Sequence, residues 1–135
     1  MMTIDYYSVP IDDNGWRTLP DGVKFKIGRD VRIGHLVRIG NYAKIYDNVT
    51  ISDGVIIGAN TTIGAWTNIG IGSRIEEGTI IGSHVTIGEW TKIGPVAIIG
   101  DKAMIRDESI VGEWKRVDFD SIISKDTILD KNTTI

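Results

Sequence analysis

The chain has 135 residues, enough for one domain, and 15 Lys and Arg against 18 Asp and Glu leave a net charge of −3 and a pI near 5.3, which sets nucleic acid aside as a partner. With no cysteine, a disulfide frame, a thiolate zinc site and a Cys nucleophile are excluded. Met1 to Tyr6 offers neither a basic n-region nor an apolar run, so no signal peptide or membrane span is expected and a cytoplasmic location is the default reading.

Residues 1–26 carry turn punctuation, Val9-Pro10, Asn14-Gly15 and Leu19-Pro20-Asp21-Gly22, around short extended pieces. Tyr6, Tyr7, Trp16 and Phe25 add bulky apolar surface. This stretch reads as an N-terminal cap on the periodic region that starts at Ile27, with a substrate lid as the alternative, because an uncapped repeat array exposes unpaired backbone and bare aliphatic side chains.

From Ile27 every sixth residue is aliphatic as far as Ile135, nineteen positions in succession, and they take sixteen of the 25 Ile in the chain. The phase never slips, so no loop is inserted. A fixed six-residue period is the mark of a parallel β-helix. Taking the aliphatic residue as position one, position five is small, from Val31 to Thr133, with Lys115 the single exception. Strand alternation puts positions five and one on the same inward face, where small and large residues together fill a narrow interior. Position two is Gly in eleven of eighteen hexads, leaving flat surface that a partner can approach closely.

Positions three and four then form the corners. Position four holds Asp30, Asn48, Gly54, Asn60, Gly72, Gly78, Asp120, Asp126 and Asn132, types that tolerate positive φ. Three strand-corner units close a triangular coil of 18 residues. Eighteen hexads make six coils, a stack of roughly 29 Å at ~4.8 Å per strand spacing.

The hexads Ile57-Gly-Ala-Asn-Thr-Thr62, Ile81-Gly-Ser-His-Val-Thr86 and Ile99-Gly-Asp-Lys-Ala-Met104 resemble those of the hexapeptide-repeat, left-handed β-helix family. The resemblance covers residues 27–135 and implies an all-β, single-stranded parallel β-helix. It alone supplies the left hand. It implies further an acyltransferase taking acyl-CoA, or acyl carrier protein, as donor and a small hydroxyl or amine as acceptor. Family members are typically homotrimers with sites in the clefts between neighbouring helices. The family also includes γ-class carbonic anhydrases and non-catalytic proteins.

Residues 18 apart lie one above another, so one corner reads Asp30, Asn48, Trp66, His84, Lys102, Asp120. In the resembled acyltransferases a cleft His is the general base, and an imidazole suits that task. The resemblance thus gives His84 the base role, with Trp66 beside the substrate and Lys102 meeting a phosphate or carboxylate. His is also enriched at positive φ, so making a corner is the competing role for His84. His35 stands at position three, on the level next to Asp53. The two His are 49 residues apart, not a multiple of 18, so a three-His zinc site is rejected and no metal is expected. The chain also departs from the sugar acetyltransferase branch, whose catalytic His comes with a long inserted loop.

Trp66, Trp90 and Trp114 all occupy position four, 24 residues apart, so they ring the helix rather than stack. Exposed Trp needs cover, from neighbouring subunits in the preferred reading or from a stacked ligand. Position six points outward. One face carries Arg38, Arg74 and Lys92, a ladder suited to an anionic ligand such as CoA phosphates or a nucleotide, and equally to a solvated face that keeps strands apart. Outward Ile80/Ile98, Ile110/Ile128 and Met104/Ile122 gather in the later coils and favour trimer packing there. The run ends in phase at Ile135, without the helical tail common in the family. Three functions are consistent with these features: an acyltransferase with His84 as base, a non-catalytic trimeric binder of an anionic small molecule or nucleotide, and a structural assembly module.

Overall fold

The computed structural model describes residues 5–130; Met1–Ile4 and the last hexad positions, Asn132, Thr133 and Ile135, lie outside them. Eighteen strands after the first hairpin strand, nearly all two residues long, wind into three parallel sheets that form the sides of a triangular prism. The first face runs from Lys24–Ile27 through Ala43–Ile45, Thr62–Ile63, Ile80–Ile81 and Ile98–Ile99 to Arg116–Val117. The second runs from Arg32–Ile33 to Ile122–Ile123, and the third from Arg38–Ile39 to Ile128–Leu129. Register is in steps of eighteen throughout: Ile63 pairs with Ile81, Ile69 with Ile87 and Ile75 with Ile93. The molecule is a left-handed β-helix of about six turns.

The aliphatic ladder fills the axis. Ile51 through Ile105 at position one are essentially without solvent contact, each contributing roughly 1.5–3 kcal/mol of burial. Buried hydroxyls at position five need acceptors, and the carbonyls of position two in the adjoining coil supply them. Thr67 Oγ1 donates to Gly82 O (2.9 Å), Ser73 Oγ to Gly88 O (2.7 Å) and Thr79 Oγ1 to Gly94 O (2.9 Å). Lys115, the one charged residue at position five, is buried like those before it, while Ser121 and Thr127 after it are half-buried.

Position four has positive φ at every described hexad, from Asp30 (55°) to Asp126 (62°), including Trp66, Trp90 and Trp114 at 63°, 55° and 61°. The corner geometry therefore overrides residue type, at a cost of roughly 1–2 kcal/mol for a residue with a Cβ. Position two corrects an expectation. Its glycines do not open a surface to partners, because the next coil already occupies that space: a Cβ on Gly40 would stand 2.4 Å from Ala59 N, and one on Gly70 2.5 Å from Gly88 C.

Residues 5–23 pack on the first coil. A 3-10 turn at Tyr6–Ser8 is capped by Asp5, whose carboxyl is held below the usual carboxylate range by hydrogen bonds from Ser8 and the Tyr7 amide. Tyr6 is buried edge-on against Phe25, ring centroids 5.7 Å apart, and donates to Val37 O. Arg17–Thr18 adds an antiparallel strand beside Lys24–Phe25.

Candidate active site on the first corner

The corner between the first and second faces presents Asp30, Asn48, Trp66, His84, Lys102 and Asp120 in line. From Asn48 onward each is fixed through its backbone: Trp66 N donates to Asp47 O (3.0 Å), His84 N to Ala65 O (2.9 Å) and Lys102 N to Ser83 O (2.9 Å). The residue before His84 is held as well, since Ser83 N donates to Asp101 Oδ1 at 2.9 Å. The same device recurs where Asp stands at position three. Asp47 binds Arg29 N, Asp53 binds His35 N and Asp107 binds Glu89 N. His35 thus sits beside Asp53 on the second corner, well away from His84.

The indole of Trp66 and the imidazole of His84 are stacked, 6.2 Å between centroids and 7° between planes. Coils are ~4.8 Å apart, so the near-parallel rings are offset, the arrangement aromatic quadrupoles prefer. Both side chains are exposed, as is Lys102 one coil further. The outcome is a row of flat ring, titratable nitrogen and cation, mounted on a rigid edge.

On the side of Trp66 away from His84 lies an open groove of about 650 Å³ lined by Asp30, Arg32, Asn48, Thr50, Trp66, Asn68, Val31 and Tyr7. Tyr7 comes from the N-terminal segment, pinned by its hydroxyl, which donates to Gly28 O (2.6 Å) and accepts from Val31 N (2.9 Å). Sequence reasoning missed this groove. Its polar wall is legible as positions four and six of successive coils, but Tyr7 belongs to no repeat.

The other candidate residues are elsewhere. Trp90 is on the second corner, its ring lying over Gly72, where an added Cβ would meet Trp90 Cζ3 at 2.3 Å. Arg74 and Lys92 are register neighbours on the third face, and Arg38 is two strands from Arg74 across Ile56. Lys92 Nζ reaches Glu76 Oε1 at 3.6 Å. A single chain therefore splits the candidate residues into Trp66, His84 and Lys102 on one corner, Trp90 on the next, and Arg74, Lys92 and Arg38 on the face beyond it. Among the described residues no cluster of three or more His, Cys, Asp or Glu is placed to hold a metal ion, and no helix is long and apolar enough to cross a membrane.

These features define a hexapeptide-repeat protein of the left-handed β-helix class. The family model of the GMPPB C-terminal domain matches residues 22–113, more than half of the chain, and the chain belongs to that family. Comparison with the curated proteins gives no match. Among solved structures, it is similar to a perosamine N-acetyltransferase variant from Caulobacter crescentus in complex with CoA and GDP-perosamine, with a TM-score of 0.75 and 18% identity over 79% of this chain. The match spans 50% of that enzyme, so the chain corresponds to about half its length. A hexapeptide transferase family protein from Anaplasma phagocytophilum has a TM-score of 0.58 and 19% identity, over 81% of this chain and 71% of that one. The CcmM N-terminal domain in complex with CcmN has a TM-score of 0.51 and 16% identity, over 96% and 97%. At these identities the likeness is one of fold.

Proposed function

We propose that the chain is an acyltransferase that moves an acyl group from acyl-CoA to a small amine or hydroxyl, at sites in the clefts of a homotrimer, with His84 as general base. The observation that carries this reading is the exposed stack of Trp66 on His84, with Lys102 one coil further on the same rigid corner. An imidazole held in the open can take a proton from an incoming nucleophile. The acceptor nitrogen or oxygen bonds to the thioester carbon as His84 removes its proton. The C–S bond then breaks, and the imidazolium returns the proton to the CoA sulfur. Lys102 is suited to a phosphate of the donor, and the groove beyond Trp66 to the acceptor. The perosamine enzyme's complex with CoA supports the donor class.

Because the chain has no cysteine, thiol released from acetyl-CoA can be read directly with a thiol reagent, using a panel of amino and hydroxy compounds as acceptors. The expected result is acceptor-dependent release that falls about 10²- to 10⁴-fold in His84→Ala. Failure of acetyl-CoA to bind in calorimetry, or an unchanged rate in His84→Ala, overturns the reading. Sedimentation at micromolar concentration should give a trimer, and a monomer refutes the cleft.

A further inference from the structure

The six-residue step makes axial height a countable quantity, and Trp90, Lys92 and Arg74 all stand within one coil of His84 in height, whereas Arg38 lies about 12 Å short of it. At ~4.8 Å per coil of 18 residues, Trp90 stands about 1.6 Å beyond His84 along the axis, Lys92 about 2.1 Å beyond and Arg74 about 2.7 Å short of it. The second corner repeats the first with a shift of six residues, and the matches are complementary. His84 is level with Trp90, and Lys102 with Glu108. Trp66 is level with Gly72, the residue over which the Trp90 indole lies. A like-signed match, Asp120 with Asp126, falls two coils away. The third corner offers Gly78 and Val96 near the height of His84, with neither charge nor ring. Both Trp66 and Trp90 are more than half exposed, and Arg74 has no ion-pair partner among the described residues.

In a closed cyclic assembly of parallel helices, contacts join residues of equal height. We propose that the second corner of one copy faces the first corner of the next. The Trp90 indole then closes over the Trp66–His84 stack from across the cleft, Glu108 meets Lys102, and Arg74 of the neighbouring copy takes an anionic, phosphate-bearing part of the substrate. The site is then incomplete in one chain. The role given to Arg74 rests on the acyl-transfer reading; the pairing of corners does not.

Two experiments separate these parts. In the otherwise cysteine-free chain, Ser83→Cys combined with Glu89→Cys puts thiols on the two corners at matching heights. Mild oxidation should give disulfide-linked dimers and trimers, whereas Ser83→Cys with Pro95→Cys, on the third corner, should stay monomeric on a non-reducing gel. A trimer in solution that cross-links only through the Pro95 pair, or through neither, overturns the corner pairing. Secondly, His84→Ala and Arg74→Ala chains, each impaired alone, are unfolded together and co-refolded in equal amounts. Random mixing gives a native His84 opposite a native Arg74 in about a quarter of the clefts, so about a quarter of wild-type activity should return. Cross-linking without such recovery overturns the Arg74 role. Cross-linking of the Ser83→Cys/Glu89→Cys chain as expected, with no acyl transfer by the wild-type chain, overturns the acyl-transfer reading and leaves the corner pairing standing.

Discussion

The indole of Trp66 and the imidazole of His84 lie 7° from parallel with centroids 6.2 Å apart, on successive coils of a single corner. Neither ring can turn freely without leaving the other, because both are carried by backbone in the left-handed region and tied to the coil before. Stacked aromatic pairs contribute about 0.5–1.5 kcal/mol beyond burial. Trp66 also lines the groove assigned to the acceptor, so Trp66→Leu should lower kcat/KM for the acceptor roughly 3- to 10-fold, that energy expressed as a ratio, with far-ultraviolet circular dichroism unchanged. Steady-state kinetics with thiol detection checks this.

Asp101 acts on His84 through the backbone. Its carboxylate accepts from Ser83 N at 2.9 Å, and Asp101→Ala should lower kcat while leaving donor KM nearly unchanged and costing about 1 kcal/mol of stability. Asp101→Asn should restore the rate, since an amide oxygen can accept the same bond, as Asn41 does from Lys24 N. Equal loss in the Ala and Asn variants would rule out a positioning role.

Gly40 has no room for a methyl group. Ala59 N and Gly58 C stand 2.4 and 2.6 Å from its would-be Cβ, and both are backbone. Gly40→Ala must push two coils apart where Gly40 N bonds Ile57 O at 2.7 Å, so a loss of roughly 2–3 kcal/mol is expected. Urea unfolding measures it.

Leu36 poses the opposite case, with φ of 60° and a side chain well exposed. Leu36→Asn keeps the Cβ but places at this φ a short amide that can bond the local backbone, gives up little packing, and should stabilise the fold by about 1 kcal/mol. The same urea series provides the comparison.

Tyr6 makes the first coil sensitive to alkali. Burial raises its phenol above the ordinary 10.0. In the unfolded chain the proton leaves near that ordinary value, earlier than in the folded one. The stabilisation is thus complete below pH 10 and is lost as pH rises through the folded value. Tyr6→Phe should remove this part of the decline between pH 9 and 11, followed by near-ultraviolet circular dichroism in urea.

The hexad made most of the fold legible, because position one, position five and position four each have a single steric demand. Interior height, corner φ and the Trp66–His84 contact all come from counting by eighteen. Three things did not. The cause of Gly at position two lies in the neighbouring coil, at residues such as Ala59, which no local pattern around Gly40 names. Asp47, Asp53, Asp101 and Asp107 look like ordinary solvated corner residues until their carboxylates are seen to take the amide one coil below. Tyr7 has no phase, so its place beside the groove depended on how the aperiodic segment folds back. The split of Trp90, Arg74 and Lys92 from Trp66 and His84 was countable, but their shared chemistry suggested one cluster where a single chain places them apart.

An unbroken six-residue phase also governs which changes of length the fold can absorb. Excising eighteen residues, for example from Ile51 to Asn68, would bring the later coils one level closer and leave every corner aligned with its own kind. Excising six between Trp90 and Lys102 would turn everything downstream by a third of a revolution, so that Lys102 would come to lie beneath Gly78 instead of His84. Heritable length variation in such a chain is therefore quantised, with whole turns preserving its surface and thirds of a turn rewriting it.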